Sequence, residues 1–280
     1  MFKSIVKSSA FGYRIFVFIV ALSFPYMSFS QCGCDYNIPP NQYTIDGNVE
    51  GIQPGDVVCL QAGTFNNKVI TNMNGTKDKP IIIKNCGGKA LFKLASSKSF
   101  GIKIRYSSHF RITGSGDASE QYGIEIDGPN VGLDIGGTST DFEVDHIRVN
   151  NTGYAGIFGK TDPSCNSDTW RENFTMYNTS FHDNYVSNTG GEGFYIGNSH
   201  YHFQVTKTCG GSPTKIWEHS VVNCKVYDNL VVNAGRDGVQ VGAVISGGEI
   251  YNNTVLGFGT QDPNHINGIQ VNPGFTGVVY

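Results

Sequence analysis

Three residues stand directly before a glycine that opens a short apolar strand. They are Glu192 before GFYI (193–196), Asp237 before GVQV (238–241) and Asn267 before GIQV (268–271). If those strands stack, the three side chains lie one above another with neighbours about 4.8 Å apart. Oxygen ligands at that spacing can share a hard cation such as Ca²⁺, or two carboxyls can divide acid and base roles. Arg236, next to Asp237, can neutralise the carboxylate of an acidic sugar. Removing the proton beside such a carboxylate also needs a base within hydrogen-bond reach. His200, His202 and Lys160, on the loops after the strands, are the candidates. The alternative is plain: Asp237 and Arg236 form a solvated turn pair, and Glu192 caps a bend.

One residue into each strand comes a second row, Glu125, Phe158, Tyr195, Gln240 and Gln270, which alternation turns outward. An aromatic ring beside amides on a flat sheet suits a sugar ring; an ordinary sheet face sheltered by loops is the other reading. His109, His146, Asp183, Asp228 and Asn252 also fall at one position of a repeat, so metal binding by the two histidines is a further possibility. Two segments stand out by length, 160–171 and 198–220, and they carry Trp170, Tyr201, His202, Phe203 and Trp217. Long aromatic loops on a rigid scaffold are where binding usually resides. Joined through Cys165 and Cys209, they would wall a groove over Tyr195 and Gln240.

The elements that must position these residues are written in a repeat. HFRITGSG (109–116), HIRVNNTG (146–153), DNYVSNTG (183–190), DNLVVNAG (228–235) and NNTVLGFG (252–259) share one eight-residue frame. The closing glycines are 37, 37, 45 and 24 residues apart, the loose period of a solenoid. The strands are four or five residues long, rich in Val, Ile, Phe and Tyr, and bounded by Gly, Asn and Asp. This predicts an all-β, right-handed, single-stranded parallel β-helix of the pectate-lyase-like kind. Val149, Val186, Val231 and Val255 form one inward row and Ile157, Phe194, Val239 and Ile269 another. Asn184, Asn229 and Asn253 form one amide ladder at the bends; Asn151, Asn188 and Asn233 form a second.

Residues 1–30 read as an export signal, with Lys3, Lys7 and Arg14 ahead of an apolar run and small residues before Gln31. Removing them deletes three positive charges and no acid, taking the formal charge from −3 to −6. A mildly acidic exported chain argues against nucleic acid or anionic lipid as partner. Residues 31–280 then form one elongated domain, secreted or on the cell surface. Of seven cysteines, Cys59 with Cys86 and Cys165 with Cys209 are the expected disulfides, Cys224 a buried thiol, and Cys32 and Cys34 stay unassigned. The last strands have no polar cap, so the chain is expected to be a piece of a longer protein, monomeric when complete.

The run PGDVVCLQAGTF (54–65), followed by NGTKDKPIIIKN (74–85), resembles the opening coils of secreted β-helix polysaccharide lyases of the chondroitinase B and alginate lyase type. The later NTGGEGFYIGNS (188–199) and NAGRDGVQVG (233–242) are similar to the β-helix repeat proteins of Bacteroides-related bacteria. The resemblance implies the fold and an acidic polysaccharide as substrate. It does not extend to chondroitinase B's calcium-binding acidic pair or its catalytic base, for which no matching residues are found. The run Asp262-Pro263-Asn264-His265 resembles the Asp-Pro-His stretch of alginate epimerases, interrupted by Asn264. The expected function is a lyase, or secondarily a hydrolase, with Glu192, Asp237, Arg236 and His200 as catalytic residues. Tyr195, Gln240, Gln270, Trp217 and Lys160 would bind substrate. The competing class is a non-catalytic binding or adhesion solenoid.

Overall fold

The computed structural model describes residues 32–280, so the expected export signal lies outside the described residues. The chain winds as a parallel β-helix with three faces per coil. An 8-stranded parallel sheet makes the third face, and a 15-stranded sheet bends to make the first and second. A representative coil runs Thr140–Asp145 on the first face, Ile147–Asn150 on the second and Ile157–Gly159 on the third. The next repeats this with Thr175–His182, Tyr185–Thr189 and Phe194–Ile196.

The bends fall where the sequence places short polar residues. His146, Asp183, Asp228 and Asn252 all have positive φ and turn the first face into the second. Asn151, Asn188 and Asn233, also at positive φ, end the second face. Asn and Asp tolerate this backbone better than other L-residues, which is why they recur. Both amide ladders form. Asn184 donates to Asn229, and Asn229 to Asn253, in the interior. Asn188 donates to Asn151 and Asn233 to Asn188 on the outside.

Alternation then sends every second strand residue inward. Val149, Val186, Val231 and Val255 pair in register, as do Ile157, Phe194, Val239 and Ile269. The first three of each row are fully buried, each side chain contributing roughly 1.5–3 kcal/mol. Val255 is only half-buried and Ile269 is 37% exposed, because each ends its row. The glycine opening each third-face strand is required by close approach. A Cβ on Gly193 would strike Val231 and the Gly238 carbonyl, and one on Gly156 would strike Val186.

Three expectations fail on register. The frame at 109–116 does not continue the later ones: Phe110 pairs with Phe142, and Ile124 with Ile147. The strand Ile124–Asp127 therefore belongs to the second face, and Glu125 stands beside Arg148 rather than under Phe158. His109 is level with Asp141, not His146, so the two histidines do not share a column. The third is the Cys59–Cys86 disulfide. Register sets Lys84 opposite Cys59 and Gln61 opposite Cys86, a two-residue offset that keeps them apart. Instead the N-terminal segment lies over this coil and supplies both partners. Cys32 bonds Cys86 and Cys34 bonds Cys59, each with Cα atoms 5.8 Å apart. Cys165–Cys209 forms as expected, and Cys224 is a buried thiol.

Candidate functional site

The third face gathers most of the predicted residues. Its outward row is Lys103, Asp134, Phe158, Tyr195, Gln240 and Gln270, in continuous register. Tyr154, from the bend before Ile157–Gly159, meets Phe158 edge-on at 5.6 Å, and Phe158 meets Tyr195 the same way at 5.5 Å. A strip of three rings thus crosses the face. A cation closes each end. Arg236 lies 5.4 Å from the Tyr154 ring and Lys160 lies 4.4 Å from the Tyr195 ring.

Lys160 is largely buried, which alone would favour its neutral form. The Asp162 carboxylate, 2.6 Å away, and the Tyr195 and Tyr154 phenols outweigh burial and hold it above the ordinary lysine range. It is therefore a fixed positive charge near neutrality, suited to an anion and unsuited to taking a proton.

At the other end, Glu192 and Asp237 are buried to 1% exposure and stack in consecutive coils, as Gly193 N–H bonds the Asp237 carbonyl. Arg236 lies 3.6 Å from Glu192 Oε1 and 3.1 Å from Asp262 Oδ2. Glu192 Oε2 has no hydrogen-bond partner among the described residues. Asp237 is fully engaged: Oδ1 accepts from the Asn267 backbone N–H and its side-chain amide, and Oδ2 lies 3.3 Å from His265 Nδ1. Glu192, Asp237 and Asn267 thus share a column, but Asn267 turns its amide donor toward Asp237. Glu192 Oε2 is the one carboxylate oxygen of this column without a partner among the described residues. The trio does not present the oxygen cage that Ca²⁺ requires.

His265 escaped sequence reasoning. Its signal was the Asp262–His265 run, which the structure folds back over the site. A buried carboxylate accepting from Nδ1 leaves the lone pair on Nε2, the arrangement of an oriented base.

The remaining candidates lie at the opposite end of the same strands. His200, on the loop after Phe194–Ile196, is 3.5 Å from Glu218 and packs on Phe203; His202 packs on Tyr201. Trp217 and Tyr201 cover Arg171, with the guanidinium carbon 4.8 and 3.7 Å from the two rings. Trp217 therefore packs loop on loop. Gln240 is buried and donates to Ser199 Oγ, which also meets the Tyr195 hydroxyl at 2.7 Å. Gln270 accepts from Asn267 and donates to Asn272, which donates to Ser199. The amides thus form a network along the face that runs from Asn267 to Ser199 and fixes the Tyr195 hydroxyl.

No protein-family model matches the chain, and no curated protein matches it significantly. Solved structures do. The alginate lyase from Paenibacillus sp. str. FPU-7 is similar at 15% identity and a TM-score of 0.57, over 82% of this chain and 75% of that one. Pectate lyase Pel9A aligns at 13% identity and a TM-score of 0.35, over 80% and 71%. The first likeness shows the fold, a parallel β-helix, and the strand register described above agrees with it.

Proposed function

We propose that the third face binds an acidic polysaccharide and cleaves it by β-elimination. The carrying observation is the aromatic strip Tyr154–Phe158–Tyr195 closed by Arg236 and Lys160. Rings offer flat apolar area to sugar rings, and the two cations offer partners to their carboxylates. Arg236 neutralises the carboxylate beside the labile proton; Asp262, on the exposed loop, gives way to it. His265 Nε2 takes the proton, with Asp237 holding the ring. The C–H electron pair becomes the C=C as the C–O bond to the leaving sugar breaks, and the leaving oxygen takes a proton from solvent water. Glu192 fixes Arg236 from below. No step is derived through a metal ion. The alginate lyase of like fold supports this choice of substrate class. Three disulfides suit action outside the cell, where such polymers occur.

The test is incubation with a panel of uronate-containing polysaccharides, following the ultraviolet absorbance of the unsaturated product. Product from one of them, lost in Arg236→Gln, is the expected result. Binding without product would assign the face to a non-catalytic module. Neither binding nor product across the panel would refute the reading.

A further inference from the structure

Beyond Lys160 the third face carries a cleft that shares Lys160 and Phe158 with the aromatic strip but none of the groups of the proposed elimination. It encloses about 290 Å³ and is lined by Arg105, Asp134, Phe158, Lys160, Ser164 and Thr169 among others. We propose that it is a second anionic subsite, holding the acidic group of a sugar about one disaccharide along the chain bound on the aromatic strip. This rests on the reading of the third face given above.

Register carries the argument. Arg105 pairs with Gly136, and Ile135 pairs with Gly159, so Arg105, Gly136 and Lys160 stand in one row over three coils. The backbones of the two residues are therefore two coil spacings apart, roughly 9.6 Å, and both side chains lean toward the following coil, Arg105 to Asp134 and Lys160 to Tyr195. That spacing is the length of a disaccharide. A polyuronate whose alternate residues face the same way would place successive carboxylates on both. The intervening coil contributes Gly136 and Gly137 in this row, over which the Arg105 side chain lies on its way to Asp134. A Cβ on Gly137 would strike the Arg105 side chain, and one on Gly136 the Lys160 carbonyl. Glycine here lets the Arg105 side chain and the Lys160 backbone approach the intervening coil closely.

Charge agrees. Lys103 and Arg105 share a single carboxylate, Asp134, at 3.6 and 2.6 Å. Arg105 is held in place by further bonds to the Ile104 and Asp134 carbonyls. Lys160 is paired with Asp162, whose side chain is 66% exposed and yields readily to solvent or ligand. Three cations against two carboxylates leave a positive surplus. Phe158 continues the ring floor into the cleft, and the Ser164 and Thr169 hydroxyls line the loop wall.

The experiment is calorimetric titration with oligouronates of two, four and six residues. Arg105→Gln should weaken the four- and six-residue ligands about tenfold and leave the disaccharide unchanged. Arg236→Gln should weaken all three lengths. Lys103→Glu, a more exposed change that sets a second carboxylate beside Arg105, should repeat the length-dependent loss, and thermal unfolding confirms that both variants fold. If Arg105→Gln and Lys103→Glu affect every length equally, or none, while the wild type binds, the subsite is wrong and the function stands. Displacement of the longer ligands by inorganic sulfate at equal concentration would reduce the cleft to a simple anion site, against the proposal. Failure of the wild type to bind any of them would overturn both.

Discussion

In the proposed reaction His265 and Asp237 divide one task between a partly exposed ring and a buried carboxylate. Asp237 cannot meet a substrate, since Asn267 and His265 occupy its oxygens and solvent does not reach it. Its effect must pass through the histidine. His265→Ala should lower the rate of product formation by about 10²–10⁴-fold, the usual contribution of a general base, with oligosaccharide affinity little changed. Asp237→Asn should lower it less and alter its pH profile, since the ring keeps its place but loses a charged partner. Steady-state rates over pH, with affinity measured separately, check this. Equal losses of affinity and rate in His265→Ala would make His265 a binding residue.

At the scale of elements, two loops leave the third face at one corner and are tied at several points, Arg171 donating to the Glu218 and Tyr201 carbonyls among them. Cys165–Cys209 joins them covalently, and the Thr161 N–H donates to His219 Nε2 inside. His219 is fully buried, with Nδ1 donating to the Ser220 carbonyl. Desolvation dominates and lowers its pKa from 6.5 to about 4; nearby Lys160 and Arg171 lower it further, while the Ser220 carbonyl and Asp162 act the other way. The sign follows. A histidine kept neutral by folding contributes stability above pH 6.5 that is lost as pH falls from 6.5 toward 4. The full loss is about 3 kcal/mol at 1.36 kcal/mol per pKa unit. Denaturant midpoints measured across this window should fall more steeply for the wild type than for His219→Gln. Identical pH slopes would show that His219 does not couple acid to loop stability. His182 on the first face behaves oppositely. Burial lowers its pKa, but bonds to Glu143 and Asp183 outweigh it and raise the value, so its stabilisation is present at acid pH and lost as pH rises through the raised pKa.

For the whole molecule, a solenoid places each coil's stability in contacts with its neighbours. The Cys32–Cys86 and Cys34–Cys59 bonds fasten the N-terminal segment to a coil deeper in the stack, each worth roughly 3–4 kcal/mol in the chain-entropy model. Replacing Cys34 and Cys59 with Ser should lower unfolding free energy by about that amount while leaving oligosaccharide affinity intact, since the third-face site lies in later coils. Replacing Cys165 and Cys209 should cost a similar amount by the same model, since that bond closes a loop of comparable length, but should also weaken binding. Chemical denaturation and titration of both variants distinguish the two. A loss of binding in the first pair would mean that the N-terminal coils set the geometry of the site.

Much of this architecture was legible in the sequence because a β-helix is a local rule repeated. Each strand needs alternating apolar residues and each bend a residue tolerant of positive φ, so Val186 and Asn184 announce their roles within a dozen residues. The column Glu192, Asp237, Asn267 and the row Phe158, Tyr195, Gln240, Gln270 were fixed by the same period. What the sequence could not supply was phase where the period breaks. The frame at 109–116 has the right letters but sits on the first face, because a long excursion before Ile124 resets the register. Disulfide partners escaped for a related reason: a two-residue offset decides bonding, and Cys32 and Cys34 approach from a segment outside the repeat. The base proposed for the site escaped most completely. His265 reaches Asp237 by a loop whose course no periodicity dictates. Arg236 and Lys160 close one aromatic strip only because Tyr154, Phe158 and Tyr195 meet across coils. Side-chain direction at bends, and which loop folds over which strand, are set by packing between coils, and only the tertiary structure decides them.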